Sequence, residues 1–394
     1  MLGNVSGNYV EEGRKRQKRR KSMIILGSIG GALLLGIIAI VVVSYYYMNR
    51  SFSGYDVVSE RERTDSNNVN YLSFQDKLLK YSRDGVSMLD ESGEAMWNGG
   101  YEMEQPTVDV CGDYVSVADI GAKKFYVYNG KDQGKDMEMA LPIGRVKVSE
   151  NGKVAVLLHD DESDVINVYD PYNTVEALEV EIPTNVVEDG YPLDFDIAPD
   201  GESLVVAYML VENGTMENHV CFYNFTEVGQ DQNTLVGGKS YETSMISRID
   251  FVAKDKVAIF YENGFSIFEN MKKPEEIFNQ TFEQPIKSAD HDDEHILIVT
   301  GSSGDTKGQI LNLYTLEGKQ ELAEKVDYKY SNIQMADDEI IFTDDQSCRI
   351  LRKNGRQKFS FDFEKQYDYF FPTTKDNRYY FLNDTMIQVI KISG

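Results

Sequence analysis

The sequence is poor in cysteine, histidine and tryptophan, with 3, 4 and 1 residues in 394. Cys111, Cys221 and Cys348 are far apart and odd in number, which excludes the paired disulfide framework of a small secreted module. We interpret them as thiols buried in strands, since a domain of this size buries enough apolar surface without disulfides.

Catalytic and cofactor motifs are also missing. Neither the G-x-S-x-G of a nucleophile elbow nor the H-E-x-x-H of a zinc protease occurs. The similar strings His159-Asp160-Asp161-Glu162 and His291-Asp292-Asp293-Glu294-His295 stand at different positions of the repeat described below. We interpret both as solvated turns and leave weak calcium binding open. The sequence therefore gives no catalytic residue, no cofactor and no metal ligand.

Positive charge is scarce after the first 50 residues. Those residues hold 8 of the 40 Lys and Arg but 2 of the 65 Asp and Glu, so the remainder carries a net charge of −31. A domain this acidic repels nucleic acid and anionic lipid headgroups, because phosphate contacts need surface cations. We expect no nucleic-acid partner.

A long hydrophobic run occurs once. Met23 to Ser44 contains no charge and three tyrosines follow, which predicts a transmembrane helix over 23–48. Seven cations precede it: Arg14, Lys15, Arg16, Lys18, Arg19, Arg20 and Lys21. Cations stay on the cytoplasmic side, so we expect a cytoplasmic basic tail at 1–22 and an extracytoplasmic remainder. The chain is then a single-pass cell-membrane protein with the lipid bilayer as partner.

Two alternatives concern this run. A cleaved signal peptide is the competing interpretation, but the run exceeds the usual h-region and no A-x-A-like site follows. Gly27 and Gly31 form a G-x-x-x-G, a candidate contact between two such helices. A simple glycine-rich span explains the same residues.

Beyond a polar spacer at 49–70, a unit of about 35–50 residues recurs, which is the period of propeller blades. Its second strands are nearly continuous apolar runs, such as VAVLLH from Val154 and ILIVT from Ile296, which indicates burial on both faces. Turn pairs separate the strands: Asp84-Gly85, Asn151-Gly152, Asp200-Gly201, Asn263-Gly264 and Asn354-Gly355. Helical periodicity is absent after the hydrophobic run.

The repeat predicts an all-β fold, an eight-bladed β-propeller over 71–394 behind the transmembrane helix. Seven blades is the alternative because the unit at 71–98 is short, and two packed β domains is a third. The last unit offers three strands, which would leave an exposed edge. We predict that the strand-like residues 55–60 of the spacer supply the fourth strand and close the ring.

Several runs resemble an uncharacterised family of Gram-positive bacteria, including YLSFQDKLLKYSRDGVSMLDESGEAMWN at 71–98 and GYPLDFDIAPDGESLVVAY at 190–208. The family is catalogued as a domain of unknown function, and the resemblance implies a basic tail, one membrane helix and an outer propeller. More distantly, DGVSMLDESGEAMW resembles the repeat of quinoprotein-like propellers. The single Trp97 departs from that pattern, which puts quinone binding in doubt, and no catalytic residue carries over.

We expect a non-catalytic scaffold that presents its top face or central channel to an envelope protein or polysaccharide. The first alternative is an enzyme acting on an extracellular carbohydrate or using a channel cofactor. It predicts carboxylates and cations converging at the channel mouth, or a pocket lined by aromatic rings. The second alternative is a ligand sensor that signals through helix pairing at Gly27 and Gly31 and needs a cytoplasmic partner.

Overall fold

The computed structural model describes residues 31, 33–43, 45–46, 49–63, 68–160, 163–173, 175–186, 188–212, 214–230, 234–241, 244–301 and 308–394. The chain divides into two compact units, Met1–Ser51 and Phe52–Gly394, and each is described by itself.

In the first unit, residues 33–43 are helical and their large apolar side chains are exposed. Among the described residues, no helix combines the length and apolar character needed to cross a membrane. The predicted span at 23–48 falls partly outside the described residues, as do all seven orienting cations and Gly27. Gly31 is helical, and a Cβ added there would meet nothing within 4 Å.

The second unit is a ring of eight four-stranded antiparallel sheets, which makes it an eight-bladed β-propeller. Blades 1 and 2 contain β2 (Asn70–Phe74), β3 (Lys77–Ser82), β4 (Gly85–Leu89), β5 (Ala95–Gly100), β6 (Pro106–Cys111), β7 (Tyr114–Asp119), β8 (Lys124–Tyr128) and β9 (Lys135–Glu138). Blades 3 and 4 contain β10 (Ile143–Val148), β11 (Val154–His159), β12 (Asp164–Tyr169), β13 (Leu178–Thr184), β14 (Tyr191–Ile197), β15 (Ser203–Glu212), β16 (Thr215–Asn224) and β17 (Leu235–Tyr241).

Blades 5 and 6 contain β18 (Ile246–Ala253), β19 (Lys256–Tyr261), β20 (Gly264–Glu269), β21 (Glu275–Thr281), β22 (Ile286–His291), β23 (His295–Thr300), β24 (Gln309–Thr315) and β25 (Gln320–Val326). Blade 7 contains β26 (Asn332–Ala336), β27 (Glu339–Thr343), β28 (Ser347–Arg352) and β29 (Gln357–Asp362). Blade 8 contains β30 (Tyr369–Pro372), β31 (Arg378–Leu382), β32 (Met386–Ser393) and β1 (Gly54–Glu62). One helical turn, Glu227–Gln230, follows β16.

The count of eight is confirmed, and the seven-bladed and two-domain alternatives are wrong. The unit at 71–98 forms a complete blade from β2 to β5, whose strands of five or six residues are as long as those of blade 7.

Ring closure is confirmed. Strand β1 pairs antiparallel with β32, from Gly54 opposite Ser393 to Glu62 opposite Met386. The closing strand is longer at both ends than the predicted 55–60. It covers the edge that the three strands of the last unit would otherwise expose.

The second strands are buried on both faces, as predicted. In β11, Val154 and Val156 pack in a cluster with blade 2, whereas Ala155 and Leu157 pack in a cluster with blade 4. The stacked sheets thus form a core between each pair of neighbouring blades.

Turn and cysteine predictions are met in part. Gly152, Gly201 and Gly355 have φ of 85°, 68° and 82°, whereas Gly264 has no positive φ. A Cβ on Gly264 would lie 2.3 Å from the Gln280 carbonyl oxygen, so close strand approach is the constraint there.

The three cysteines are free thiols in β6, β16 and β28. Of these, Cys348 alone is fully buried.

Candidate functional site

The first strand of each blade lies nearest the ring axis and has one edge without a strand partner. Aspartates of the preceding blade accept hydrogen bonds from backbone N–H groups of these strands. The Oδ2 atoms of Asp109, Asp194, Asp196 and Asp290 accept from Val148 (2.8 Å), Ile249 (2.8 Å), Phe251 (2.7 Å) and Met335 (2.6 Å). These bonds tie neighbouring blades together at the axis.

Three cations lie among these carboxylates. The Lys147 Nζ atom lies 3.5 Å from Asp196 and 3.7 Å from Asp109, so it links blades 2, 3 and 4. Arg145 pairs with Asp194. The Arg248 guanidinium lies 2.5 Å from Asp250 and donates to the Ala289 carbonyl at 3.0 Å. We call these five aspartates and three cations the axial network.

Burial controls the protonation of the axial network. It raises the pKa of Asp196 to about 6, against the attraction of Lys147. Burial likewise raises the pKa of Asp109 and of Asp290. For Lys147, burial disfavours the ammonium, but the attraction of Asp196 and Asp109 outweighs it and the pKa is raised. At neutral pH, Lys147 is therefore the charge that makes two buried carboxylates tolerable.

The histidines of the second acidic string point to different places. The Nε2 atom of His291 lies 3.9 Å from Asp250 of the axial network, whereas that of His295 lies 3.4 Å from Glu321. Asp292 is largely buried and pairs at 2.6 Å with Lys353 of blade 7, so this turn is less solvated than we predicted. Over the part of the chain described, no group of three or more His, Cys, Asp or Glu could hold a metal.

A cavity of about 1000 Å³ lies beside His295, between blades 6 and 7. Glu321, Asp337, Asp338 and Lys353 are among its lining residues. Its two lysines each pair with one carboxylate, Lys319 with Glu321 at 2.8 Å and Lys353 with Asp292 at 2.6 Å. No described lysine or arginine forms an ion pair with Asp293, Asp337 or Asp338 of its lining.

A second cavity, of about 820 Å³, opens on the other face of the ring, where the inner strands of blades 7, 8 and 1 begin. We call it the ring-closure cavity. The half-buried side chains of Leu72, Tyr369 and Phe371 contribute apolar surface to it. Four carboxylates line it as well: Asp344, Asp345, Asp368 and Asp384.

Arg63, the residue after the closing strand, lies in this cavity. Its Nη1 atom donates to the Asn383 carbonyl at 2.7 Å and lies 3.2 Å from Asp368 Oδ2. The guanidinium carbon stands 5.3 Å from the centroid of the Tyr71 ring. The cavity thus already accommodates one guanidinium through a carboxylate, a carbonyl and an aromatic face.

The remaining carboxylates of the cavity differ in their partners. Burial opposes the charge on Asp344, but Lys329 at 2.9 Å, with hydrogen bonds from Ser331 and the Asp345 backbone, outweighs burial and lowers the pKa of that carboxyl. Asp345 and Asp384 are exposed, and no described lysine or arginine forms an ion pair with either. The ring-closure cavity therefore keeps uncompensated negative charge.

Sequence reasoning missed both the axial network and this cavity. A signal existed for the first, because Asp194 and Asp196 alternate with apolar residues in LDFDI, a first strand that must otherwise be buried. No comparable signal identified Asp345 or Asp384 among so many acidic turn residues.

The fold and the axial network define the chain as an eight-bladed β-propeller with a charged axis. Residues 48–392 match the family of unknown function DUF5711, and the chain belongs to this family. The predicted membership of an uncharacterised family is thereby confirmed. A search of the curated proteins found no match.

Solved structures with a similar fold include BamB from Moraxella catarrhalis, at 13% identity and a TM-score of 0.53, which covers 86% of this chain and 100% of that chain. Hsv2 from Kluyveromyces lactis is similar at 10% identity and a TM-score of 0.48, covering 76% and 99%. At such low identity, the likeness to BamB shows the fold alone.

Proposed function

We propose that this protein is a membrane-tethered, extracytoplasmic binding scaffold without catalytic activity. Its ring-closure cavity would take up a segment of an envelope protein or a polysaccharide. The observation that carries the proposal is the cavity itself, a concave site on a closed ring that retains two unpaired carboxylates beside aromatic side chains.

The size and charge of the cavity favour a cationic ligand. Its volume of about 820 Å³ lies within the range usual for ligand sites. Asp345 and Asp384 attract a lysine or arginine side chain and repel phosphate-bearing polymers. The bound guanidinium of Arg63 illustrates the chemistry that the cavity offers to such a group. A basic protein segment is therefore the ligand that we favour.

The tether rests on the sequence and on one structural observation. The uncharged run from Met23 to Ser44 and the cations before it support a membrane segment with a cytoplasmic N-terminus. The exposed apolar side chains of the helical residues 33–43 support it too, because water is a poor environment for so many of them.

An enzyme acting on a glycan is the second candidate, and the same cavity favours it. For an enzyme we expected either carboxylates and cations converging at the channel mouth or a pocket lined by aromatic rings, and this cavity has carboxylates beside aromatic side chains. Glycosidases use two carboxyl groups. The axial network also brings carboxylates and cations together. Four of its five aspartates, however, are engaged by backbone N–H groups, which is a structural role.

Crosslinking in intact membranes tests the proposal. The full chain and the double variant Asp345→Asn/Asp384→Asn are crosslinked, purified and compared by mass spectrometry. The control is Asp136→Asn/Glu138→Gln, which removes two exposed carboxylates from the outer strand of blade 2. We expect a reproducible envelope partner with wild type and control, and its loss from the Asp345/Asp384 variant.

Two outcomes contradict the proposal. Hydrolysis of a glycan by the purified full chain, abolished in the Asp345/Asp384 variant, establishes the enzyme instead. Protection of residues 52–394 from added protease in intact cells, with digestion only after lysis, places the propeller in the cytoplasm.

A further inference from the structure

Blade 4 contains a hairpin that is longer than its neighbours. Strands β15 and β16 have ten residues each, whereas β14 and β17 have seven. Pairing with the inner strand stops at Met209, and pairing with the outer strand stops at Asn218. The pairs from Leu210 opposite Glu217 to Glu212 opposite Thr215 therefore extend past both flanking strands as a two-stranded ribbon.

The register places several apolar side chains on one face of this ribbon. Residues directly opposite each other share a face, as Val211 and Met216 do, and so do residues two apart, such as Val211 and Met209. Tyr191 lies opposite Met209 and joins the same face. Further down the strands this face carries Ala207, which packs in the core between blades 4 and 5. The ribbon thus continues a buried apolar face into solvent.

Met245 of blade 5 lies beside this face. Asn218, two residues after Met216, donates through Nδ2 to the carbonyl of Ser244 at 3.0 Å. Tyr191, Val211, Met216 and Met245 are 53%, 58%, 45% and 49% exposed. Together with Met209 we call these residues the methionine patch.

A cluster of exposed apolar side chains on one face of a sheet marks a contact site. Three of its five residues are methionines, whose unbranched, polarisable side chains adapt to different apolar partners. One exposed carboxylate lies at the patch, that of Glu262, whose N–H donates to the Met245 carbonyl at 3.1 Å. Glu217, next to Met216 in β16, lies on the opposite face of the ribbon.

We propose that the methionine patch is a docking surface for a segment of another protein that presents apolar side chains flanked by lysine or arginine. Charge complementarity selects this occupant, because Glu262 beside the patch and the net charge of −31 on the domain attract cations. A second copy is disfavoured, since two domains with a net charge of −31 each repel one another. The same charge disfavours an anionic lipid surface.

This surface is separate from the ring-closure cavity. The patch belongs to blades 4 and 5, and the cavity belongs to blades 7, 8 and 1. Variants of one leave the other unchanged, so either proposal can fail alone.

A photo-crosslinking amino acid placed at Met216 of the full chain, in its own membranes, tests the patch. The control places it at Met96, a methionine of β5 that is 55% exposed on blade 1. We expect a crosslink from position 216 that position 96 does not give, to a protein segment with apolar residues and flanking Lys or Arg. The synthetic peptide of that segment should bind the full chain at least tenfold more weakly in Val211→Thr/Met216→Thr than in wild type or Met96→Thr.

Threonine keeps the strand propensity of the ribbon while removing apolar surface, so the double variant should retain the fold. The circular dichroism and melting midpoint of the variant verify this. Crosslinks from position 216 to a second copy, to lipid or to nothing beyond the control overturn the proposal. Equal affinity of the peptide for wild type and double variant overturns it as well.

Discussion

Tyr55 in the first strand of the propeller lies directly opposite Ile392 in the last strand. Its ring also packs on blade 7, with ring centroids 5.2 Å from Phe361 and 5.3 Å from Phe363. The closing strand therefore joins the beginning of the domain to its end and binds both to the preceding blade. Loss of the closing strand would therefore weaken both blade 8, to which it belongs, and blade 7, on which Tyr55 packs.

Replacing Tyr55 by alanine should destabilise the propeller by about 1–3 kcal/mol, because half-buried ring contacts are lost at the closure. Val58→Ala, on an exposed position of the same strand, should change the free energy of unfolding by less than about 0.5 kcal/mol. Urea unfolding of the purified full chain, followed by tyrosine fluorescence, measures both. Equal effects would show that pairing with β32 alone closes the ring.

Replacing Lys147 by methionine should cost about 3 kcal/mol or more at pH 7, because Asp109 and Asp196 would remain buried without their cation. The loss should shrink at pH 5, where the carboxyl of Asp196 takes up a proton. Lys131→Met breaks the exposed ion pair with Asp113 and should have little effect at either pH. Melting midpoints of the three proteins at both pH values test this; a Lys147 effect independent of pH would contradict it.

Asp196 should make folding less favourable as pH rises. Its pKa is about 6 in the folded protein, against an ordinary value of 3.8 for an aspartate in water, so between these values only the folded state holds the proton. The contribution of Asp196 to the free energy of unfolding is therefore largest near pH 4. It falls by on the order of 3 kcal/mol as the pH rises to about 6 and above. Asp196→Asn should remove that fall. The free energy of unfolding of the variant, relative to that of wild type, should therefore increase between pH 4 and 7.

Asp90 provides the control of opposite sign. Hydrogen bonds from Ser92 and neighbouring backbone N–H groups lower the pKa of this exposed carboxyl, so it stabilises above its unfolded pKa and loses that effect on acidification. Asp90→Asn should therefore lose the most stability, relative to wild type, near neutral pH. Urea midpoints between pH 4 and 7 follow both differences. A trend of the same sign in both variants would contradict the assignment.

The architecture could be predicted from the sequence because the signals were local and repeated. Apolar runs such as VAVLLH recur at blade spacing, and each can be buried on both faces only between stacked sheets. Closure by residues near Tyr55 followed from the missing fourth strand of the last unit. The count of blades was harder, because the units differ in length and the unit at 71–98 is among the short ones.

The sites could not be predicted because they depend on contacts between distant segments. Arg63 meets Asp368 and Asn383 across more than 300 residues of sequence, and nothing near Arg63 indicates either partner. The methionine patch depends on strand register and on how far β15 and β16 outrun β14 and β17. The acidic string at His291 looked like one unit, but it spans the turn between β22 and β23. Because His291 lies opposite Ile296, the neighbour of His295, the two histidines are on opposite faces of the hairpin and meet different surroundings.

The closure should also depend on the planar guanidinium of Arg63, and not only on its charge. The Nη1 atom donates hydrogen bonds to the Asn383 carbonyl and to Asp368, and the guanidinium lies over the Tyr71 ring. Arg63→Ala should destabilise the domain by about 1–2 kcal/mol. Arg63→Lys should recover less than half of that, because an ammonium cannot stack and bond in the same planar geometry. Arg61→Ala is the matched control, since Arg61 lies two residues away in an exposed pair with Glu94. Melting midpoints of the four proteins at low and high salt decide the matter. A full rescue by lysine, or a loss of the Arg63 effect in high salt, would mean that charge alone holds this end of the closing strand.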